Sequence, residues 1–301
     1  LDWSQWRLPR RRLRESDLPA AAQAGDLAGV ERLLELGLDL DGTDPQGCTA
    51  LLRACGGGHV AMVRALLARG ADPDLTANSG ATCLSVALTA RQIEVVWALV
   101  EHGVSVEQRL PGGITPLMIA AALGQGQAVV ALLAHEADAA AVDVHGGTVL
   151  HALAQFGFGA REAESSCVIW ESLLAAGADS EAVNGVSETP LLLLLGASFE
   201  PGTAYREEVI LAQLEVLLRH GVGLGARERR GFGALHLAAL HGMGRVVRRL
   251  LAAGADPDLR DTLNRRAGEI ALMRGYVDIA SEFVRGEPAP SIARFLRERK
   301  E

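Results

Sequence analysis

Lysine is all but missing from this chain: Lys300 is the only one among 29 basic residues. On that bias alone, a GC-rich coding sequence and a bacterial source are the expectation. Aromatic residues make up only 4%, too few for a β-sandwich, which is built from β-branched and aromatic side chains. There are four cysteines, Cys48, Cys55, Cys83 and Cys167, with no C-x-x-C pair and no zinc-type spacing. They read as free thiols in a reducing compartment. No apolar run approaches the ~18 residues needed to cross a bilayer, and Leu191 to Leu195 is far too short. Neither H-E-x-x-H nor G-x-S-x-G occurs. Gly56-Gly57-Gly58 and Gly124-Gln125-Gly126 end helical patterns rather than joining a strand to a helix N-terminus, which argues against a nucleotide loop. No metal or cofactor is expected, and the chain reads as a binding protein, not an enzyme.

What is present is Ala, Leu and Gly in quantity, within a chain of 301 residues that is 49% hydrophobic and 22% charged. This is ample for a core and too ordinary in charge for disorder. The net charge of −8 is unevenly spread. Residues 1–15 carry +3, residues 16–218 carry −17, and residues 219–285 carry +5, all of that positive charge being arginine. Such asymmetry bears on partners, not on fold.

The sequence repeats. Thr49-Ala50-Leu51, Thr82-Cys83-Leu84, Thr115-Pro116-Leu117 and Thr148-Val149-Leu150 begin 33 residues apart. Thr189-Pro190-Leu191 follows after 41, Gly233-Ala234-Leu235 after 44, and Arg266 after a further 33. Stepping back 33 from Thr49 reaches Ser16. Five residues into the unit stands Ala21, Ala54, Ala87, Ala120, Ala238 or Ala271; nine residues in stands Gly25, Gly58, Gly124, Gly157, Gly242 or Gly275. A Leu-Leu pair and a further Gly come next, as in Leu66-Leu67 and Gly70, or Leu250-Leu251 and Gly254.

Each unit reads as two short helices. The Thr hydroxyl caps the first, Ala lets neighbouring units approach, and Gly supplies the positive φ that ends the helix. The second helix is amphipathic, with Val63, Leu66 and Leu67 on one face. One pair has too little core alone, so stacking buries a leucine seam at roughly 1.5–3 kcal/mol per side chain. The runs Gly113-Ile114-Thr115-Pro116-Leu117 and Ala234-Leu235-His236-Leu237-Ala238-Ala239-Leu240-His241-Gly242 resemble the ankyrin repeat family. The resemblance covers residues 16–285 and implies an all-α solenoid of about eight helix-turn-helix repeats with β-turn fingers. The degenerate first and last repeats act as caps. It also implies that His151 and His236 hydrogen-bond finger backbones, and that fingers and inner helices form a concave binding surface.

The extra residues of repeats 5 and 6 fall between inner and outer helix, counting from Gly157 and from Ser198. They are expected to project as adjacent turns, either as tolerated loops or as a second contact site carrying Phe158, Phe199 and Tyr205. At the family's variable positions, repeat 5 offers Val144, His145, Gln155 and Phe156; repeat 7 offers Arg229, Arg230, Phe232 and His241; repeat 8 offers Leu263, Arg265, Met273 and Arg274. Repeats 2 and 4 offer bland residues at the same places. Arginine beside aromatics is the composition of interface hot spots.

The reading that results is a protein-interaction scaffold binding through repeats 5–8, its partner presenting an acidic or anionic surface to repeats 7 and 8. The alternative is a regulatory module for a small anionic or nucleotide-like ligand. Nucleic acid is disfavoured, because the acidic bulk repels a long phosphate backbone. Trp3, Trp6 and the arginines over residues 1–15 read as a linker or as a juxtamembrane flank. The second sense would make the chain, which begins at Leu1, the cytoplasmic domain of a larger membrane protein. A capping helix is expected over 286–301, with Ile292, Phe295 and Leu296 on one face. The expected location is the cytoplasm.

Overall fold

The computed structural model describes residues 14–159 and 163–284. The basic segment over 1–13 and the capping helix expected over 286–301 lie outside the described residues. Within them are sixteen α-helices and no strand. The helices come in eight pairs: α1 (Asp17–Gln23) with α2 (Leu27–Glu35), α3 (Ala50–Gly57) with α4 (Val60–Ala68), α5 (Cys83–Thr89) with α6 (Ile93–Glu101), and α7 (Pro116–Ala122) with α8 (Gly126–Ala134). Then follow α9 (Val149–Gly159) with α10 (Ala163–Ala175), α11 (Pro190–Leu194) with α12 (Glu207–Arg219), α13 (Ala234–His241) with α14 (Gly244–Ala252), and α15 (Ala267–Met273) with α16 (Val277–Val284).

The chain divides into two compact units, residues up to 119 with 134–137, and residues 120–133 with 138 onward. In the first, inner helices α1, α3 and α5 pack in sequence, and outer helix α4 packs on α6. In the second, α9, α11, α13 and α15 form the inner row and α10, α12, α14 and α16 the outer row.

The repeated columns explain this packing. Thr49, Thr82, Thr115 and Thr189 each accept the N–H three residues on, at 3.1–3.4 Å, and so cap their helices. Ala54, Ala87, Ala120, Ala238 and Ala271 are fully buried, as the expected close approach of inner helices requires. Leu51, Leu84, Leu117, Leu150, Leu191 and Leu235 are buried beside them.

Between pairs the chain turns out into a finger. An acid or amide five residues before the Thr position folds back on the finger's own N–H groups. Asp44 accepts from Gln46 and Cys48, Asp143 from His145 and Gly147, Asn184 from Val186 and Glu188, and Asp261 from Leu263 and Arg265, all at 2.7–3.0 Å. Three residues further on the backbone is left-handed: Gly47, Gly80, Gly113, Gly146 and Gly231 there have φ of 73–80°, with Ser187 and Asn264 in the same conformation. Isolated bridges, Val142 with Thr148 and Arg260 with Arg266, close two of these hairpins.

The inserted residues take different forms in the two repeats, and in repeat 6 residues 195–206 make the expected turn between α11 and α12. In repeat 5 they lengthen α9 to 11 residues, against 8 in α3, and α10 to 13, against 9 in α4. Gly157 therefore lies inside α9 rather than ending it, where a Cβ would come within 2.2 Å of Gln213 Oε1. In repeat 6 the inner helix stops before Gly196, ahead of the expected Ser198, and α12 gains a turn.

Candidate functional site

The finger and inner-helix residues of repeats 5–8 all lie in the second unit. His145 and Gln155 are exposed there, as are Arg229, Arg230 and Arg274; Phe156 and Arg265 are half-buried. Phe156 lies against Gly124 of the preceding repeat.

The arginines stand on a platform. Phe232 is buried, at 6% exposure, and stacks face to face on His236 with ring centroids 5.7 Å apart. The Arg230 guanidinium lies 4.8 Å and that of Arg265 5.9 Å from the Phe232 centroid, within cation–π range. Carboxylates hold both from beneath. Arg230 donates Nε–H to Glu228 at 3.1 Å and an Nη2–H to the Ala197 carbonyl at 3.1 Å. Arg265 donates Nε–H to Asp261 at 2.8 Å. Burial pushes the Asp261 carboxyl up, but N–H and guanidinium donation from Arg265 outweighs it, and the group ends below the usual carboxylate range. Arg229 donates to the Gly185 carbonyl, tying finger 7 to finger 6. Arg274 is exposed and has no carboxylate partner among the described residues.

Two residues expected to touch a partner instead hold the scaffold. Phe232 is the platform just described. His241 is buried, and its Nε2–H donates to the Gly196 carbonyl at 3.1 Å. Burial lowers its pKa, the Gly196 carbonyl opposes this, and the charges of Arg274 and Arg230 lower it further. His151 and His236 do what the family resemblance implies: Nε2–H of each donates to the carbonyl of the next finger, at Glu188 (3.0 Å) and Arg265 (3.1 Å).

The expectation of an aromatic contact in the insertions is corrected at Phe158. Phe158 is fully buried. Phe199 stacks on it at 4.2 Å, Tyr205 lies 5.8 Å away, and the Tyr205 hydroxyl donates to the His241 carbonyl at 2.6 Å. Phe158 alone turns fully inward; Phe199 and Tyr205, in the turn between α11 and α12, are half-buried against it. Trp170, also fully buried, donates Nε1–H to Gln213 Oε1 at 3.0 Å, and Gln213 donates to the carbonyls of Gly157 and Val209.

The basic run of α14 is also committed. Arg245 pairs with Glu208, Arg248 with Glu282, and Arg249 forms a forked pair with Glu215. These residues staple α14 to α12 and α16. A cavity of about 560 Å³ is lined by Leu218, Val222, Leu224, Leu235, Arg249 and Asp256, among others, and not by the finger arginines. The four cysteines are free thiols; Cys55 and Cys83 are buried. Among the described residues no group of three or more His, Cys, Asp or Glu is placed to hold a metal ion, and no helix is long and apolar enough to cross a membrane.

Sequence reasoning overlooked Val186, at the tip of finger 6 and 46% exposed. It also overlooked the turn-closing column of Asp44, Asp143, Asn184, Glu228 and Asp261. The signal was present in both cases, at fixed distances before the Thr position.

Paired helices stacked through small residues, with a hairpin finger between pairs, define a helical-repeat protein. The family description "Ankyrin repeats (3 copies)" matches residues 18–110, and "Ankyrin repeat" matches residues 112–144 and 230–262. The chain belongs to the ankyrin-repeat family. The crystal structure of the human ASB11 ankyrin repeat domain superposes with a TM-score of 0.63 and 26% identity, covering 80% of this chain and 98% of that one. A chain from the complex of the predatory endopeptidase Bd0816 of Bdellovibrio bacteriovorus with the immunity protein Bd3460 matches with a TM-score of 0.53 and 29% identity, covering 60% of this chain and 92% of its own. No curated protein matches by sequence.

Proposed function

We propose that this chain is a protein-interaction scaffold, without enzymatic activity of its own. It engages its partner through the fingers and inner-helix surface of repeats 5–8, and the partner brings an acidic surface to repeats 7 and 8. The observation that carries this reading is the set of exposed guanidiniums Arg229, Arg230 and Arg274, with Arg230 held over Phe232 by Glu228 and Arg229 held by the Gly185 carbonyl. The rotamers of Arg229 and Arg230 are held before binding, so less entropy is lost on contact. The matched complex of endopeptidase and immunity protein lends support, since it is an assembly of two proteins. A small anionic ligand is less well supported: Arg249, the cation lining the 560 Å³ cavity, already forms its pair with Glu215. Free thiols at the half-buried Cys48 and Cys167 support a reducing compartment such as the cytoplasm. The test is the triple variant Arg229→Ala, Arg230→Ala, Arg274→Ala. Partner affinity measured by calorimetry should fall by about tenfold or more, and unchanged affinity would reject the surface. Titration with anionic metabolites separates the small-ligand alternative.

A further inference from the structure

The tips of the fingers differ between the two units. At the two positions preceding the left-handed residue, the first unit carries Pro45-Gln46, Asn78-Ser79 and Pro111-Gly112. The second unit carries Val144-His145, Gly185-Val186, Arg229-Arg230 and Thr262-Leu263. Val144 is 69% exposed, Val186 46% and Leu263 68%. A single exposed apolar side chain is ordinary, but these stand at equivalent finger tips along one face.

These tips are held in a fixed row. Gly185 N–H donates to the His145 carbonyl at 2.7 Å, joining fingers 5 and 6. The Arg229 guanidinium joins fingers 6 and 7 through Gly185. Thr262 donates both its N–H, at 3.0 Å, and its hydroxyl, at 2.9 Å, to the Arg230 carbonyl, joining fingers 7 and 8. The order along the row is apolar, apolar, basic, apolar.

Packed helices sit about 8–10 Å apart, which sets the step from one finger to the next. A β-strand places a side chain on one face every second residue, about 6.6–6.8 Å, and falls out of step. A polyproline II segment rises about 3.1 Å per residue and returns to the same side every third residue, about 9.3 Å, and stays in step.

We propose that the finger row of repeats 5–8 binds an extended peptide segment in the polyproline II conformation. The segment presents apolar, apolar, acidic and apolar side chains at every third residue, to Val144, Val186, Arg229 with Arg230, and Leu263 in turn. The acidic residue is required by the two guanidiniums. Residues 16–119 of the first unit carry a net charge of −6, which disfavours an acidic segment there. This inference rests on the reading of the finger face as the partner surface, and it adds the partner's conformation and spacing.

The experiment uses fluorescein-labelled synthetic peptides and the full chain, read by fluorescence anisotropy. Two peptides carry Leu, Leu, Glu and Leu at every third position in a Pro, Gln and Ser background, one in each chain direction. A third has the same composition with those residues at every second position. One of the first two should bind saturably, and the respaced peptide about tenfold more weakly or worse. Leu263→Ser and Val186→Ser, both at exposed tips, should each weaken binding by about fivefold or more. Gln46→Leu in the first unit should leave it unchanged. Exchanging the peptide's Glu for Gln should remove most of the salt dependence between about 50 and 500 mM. Equal binding of the respaced peptide, or no saturable binding by either spaced peptide, overturns the inference. If a folded protein partner still loses affinity on the triple arginine substitution, the scaffold reading stands and only the peptide inference falls.

Discussion

At the scale of single residues, the repeat shows its rules most clearly where one residue breaks them. Outer helices close on a left-handed glycine at Gly37, Gly70, Gly103, Gly177, Gly221 and Gly254, but repeat 4 places Glu136 there with φ of 65°. Ser187 takes the corresponding finger position with φ of 67°. A side chain in this region brings Cβ against the following carbonyl, at a cost of about 1–2 kcal/mol. Glycine removes that cost and returns part of it as unfolded-state entropy. Glu136→Gly and Ser187→Gly are therefore each expected to stabilise by about 0.5–1 kcal/mol in urea unfolding. A lowered midpoint in both would contradict the argument. The same scale shows what a repeat alignment conceals. Arg274 and His241 occupy equivalent positions in consecutive repeats, yet one is exposed and the other buried against Gly196. The difference arises because His241 is covered by the insertion of repeat 6, which no neighbouring position reveals.

At the scale of elements, the lengthened helices of repeats 5 and 6 build a buried cluster of their own. The longer helices α9, α10 and α12 meet around a buried amide. Gln213 accepts from Trp170 and donates to the carbonyls of Gly157 and Val209. Gln213→Ala leaves a buried indole N–H without its partner and opens a cavity. The expected loss is about 2–4 kcal/mol, combining an unsatisfied donor with lost packing. Trp170 fluorescence during urea unfolding reports it directly. A loss under about 0.5 kcal/mol, within the range of ordinary surface substitutions, would show that the network is dispensable. The outer row gains its cohesion differently. Arg245, Arg248 and Arg249 each reach an acid on a neighbouring helix, so the basic helix α14 is a brace. Paired in this way, the run has little charge left to offer an anion.

At the scale of the whole molecule, three buried histidines link the folded state to pH. His151 and His236 accept backbone N–H groups at Nδ1, from Thr148 at 3.1 Å and Gly233 at 3.2 Å, which requires the neutral ring. Burial holds the pKa of His151, His236 and His241 below the ordinary histidine value. The unfolded chain titrates near about 6.5, so below that pH it takes up protons that the folded chain refuses. Stability is full above about pH 6.5 and falls as pH drops toward the folded pKa values, by at most about 1.4 kcal/mol per pH unit for each histidine. The carboxyls of Asp44 and Asp261 lie below their ordinary range, so their contribution is lost only at lower pH. Urea midpoints at about pH 7.5 and 5.5 test this, and an equal or higher midpoint at the lower pH would refute it.

By itself the sequence determined the repeat and its family, because a fixed spacing of Thr, Ala, Leu and Gly admits one way of stacking short helix pairs. It determined the capping by Thr49, Thr82, Thr115 and Thr189, and the use of His151 and His236 on the next finger. It also located the positive charge in the last repeats. Only the tertiary structure decided which of those charges face outward. Arg245, Arg248 and Arg249 meet acids 34–37 residues away in sequence, and Phe158, Phe199, Tyr205 and His241 gather from three separate repeats. The physical reason is that local spacing sets backbone conformation, whereas burial and ion pairing depend on which distant side chains the stacking brings within a few ångströms.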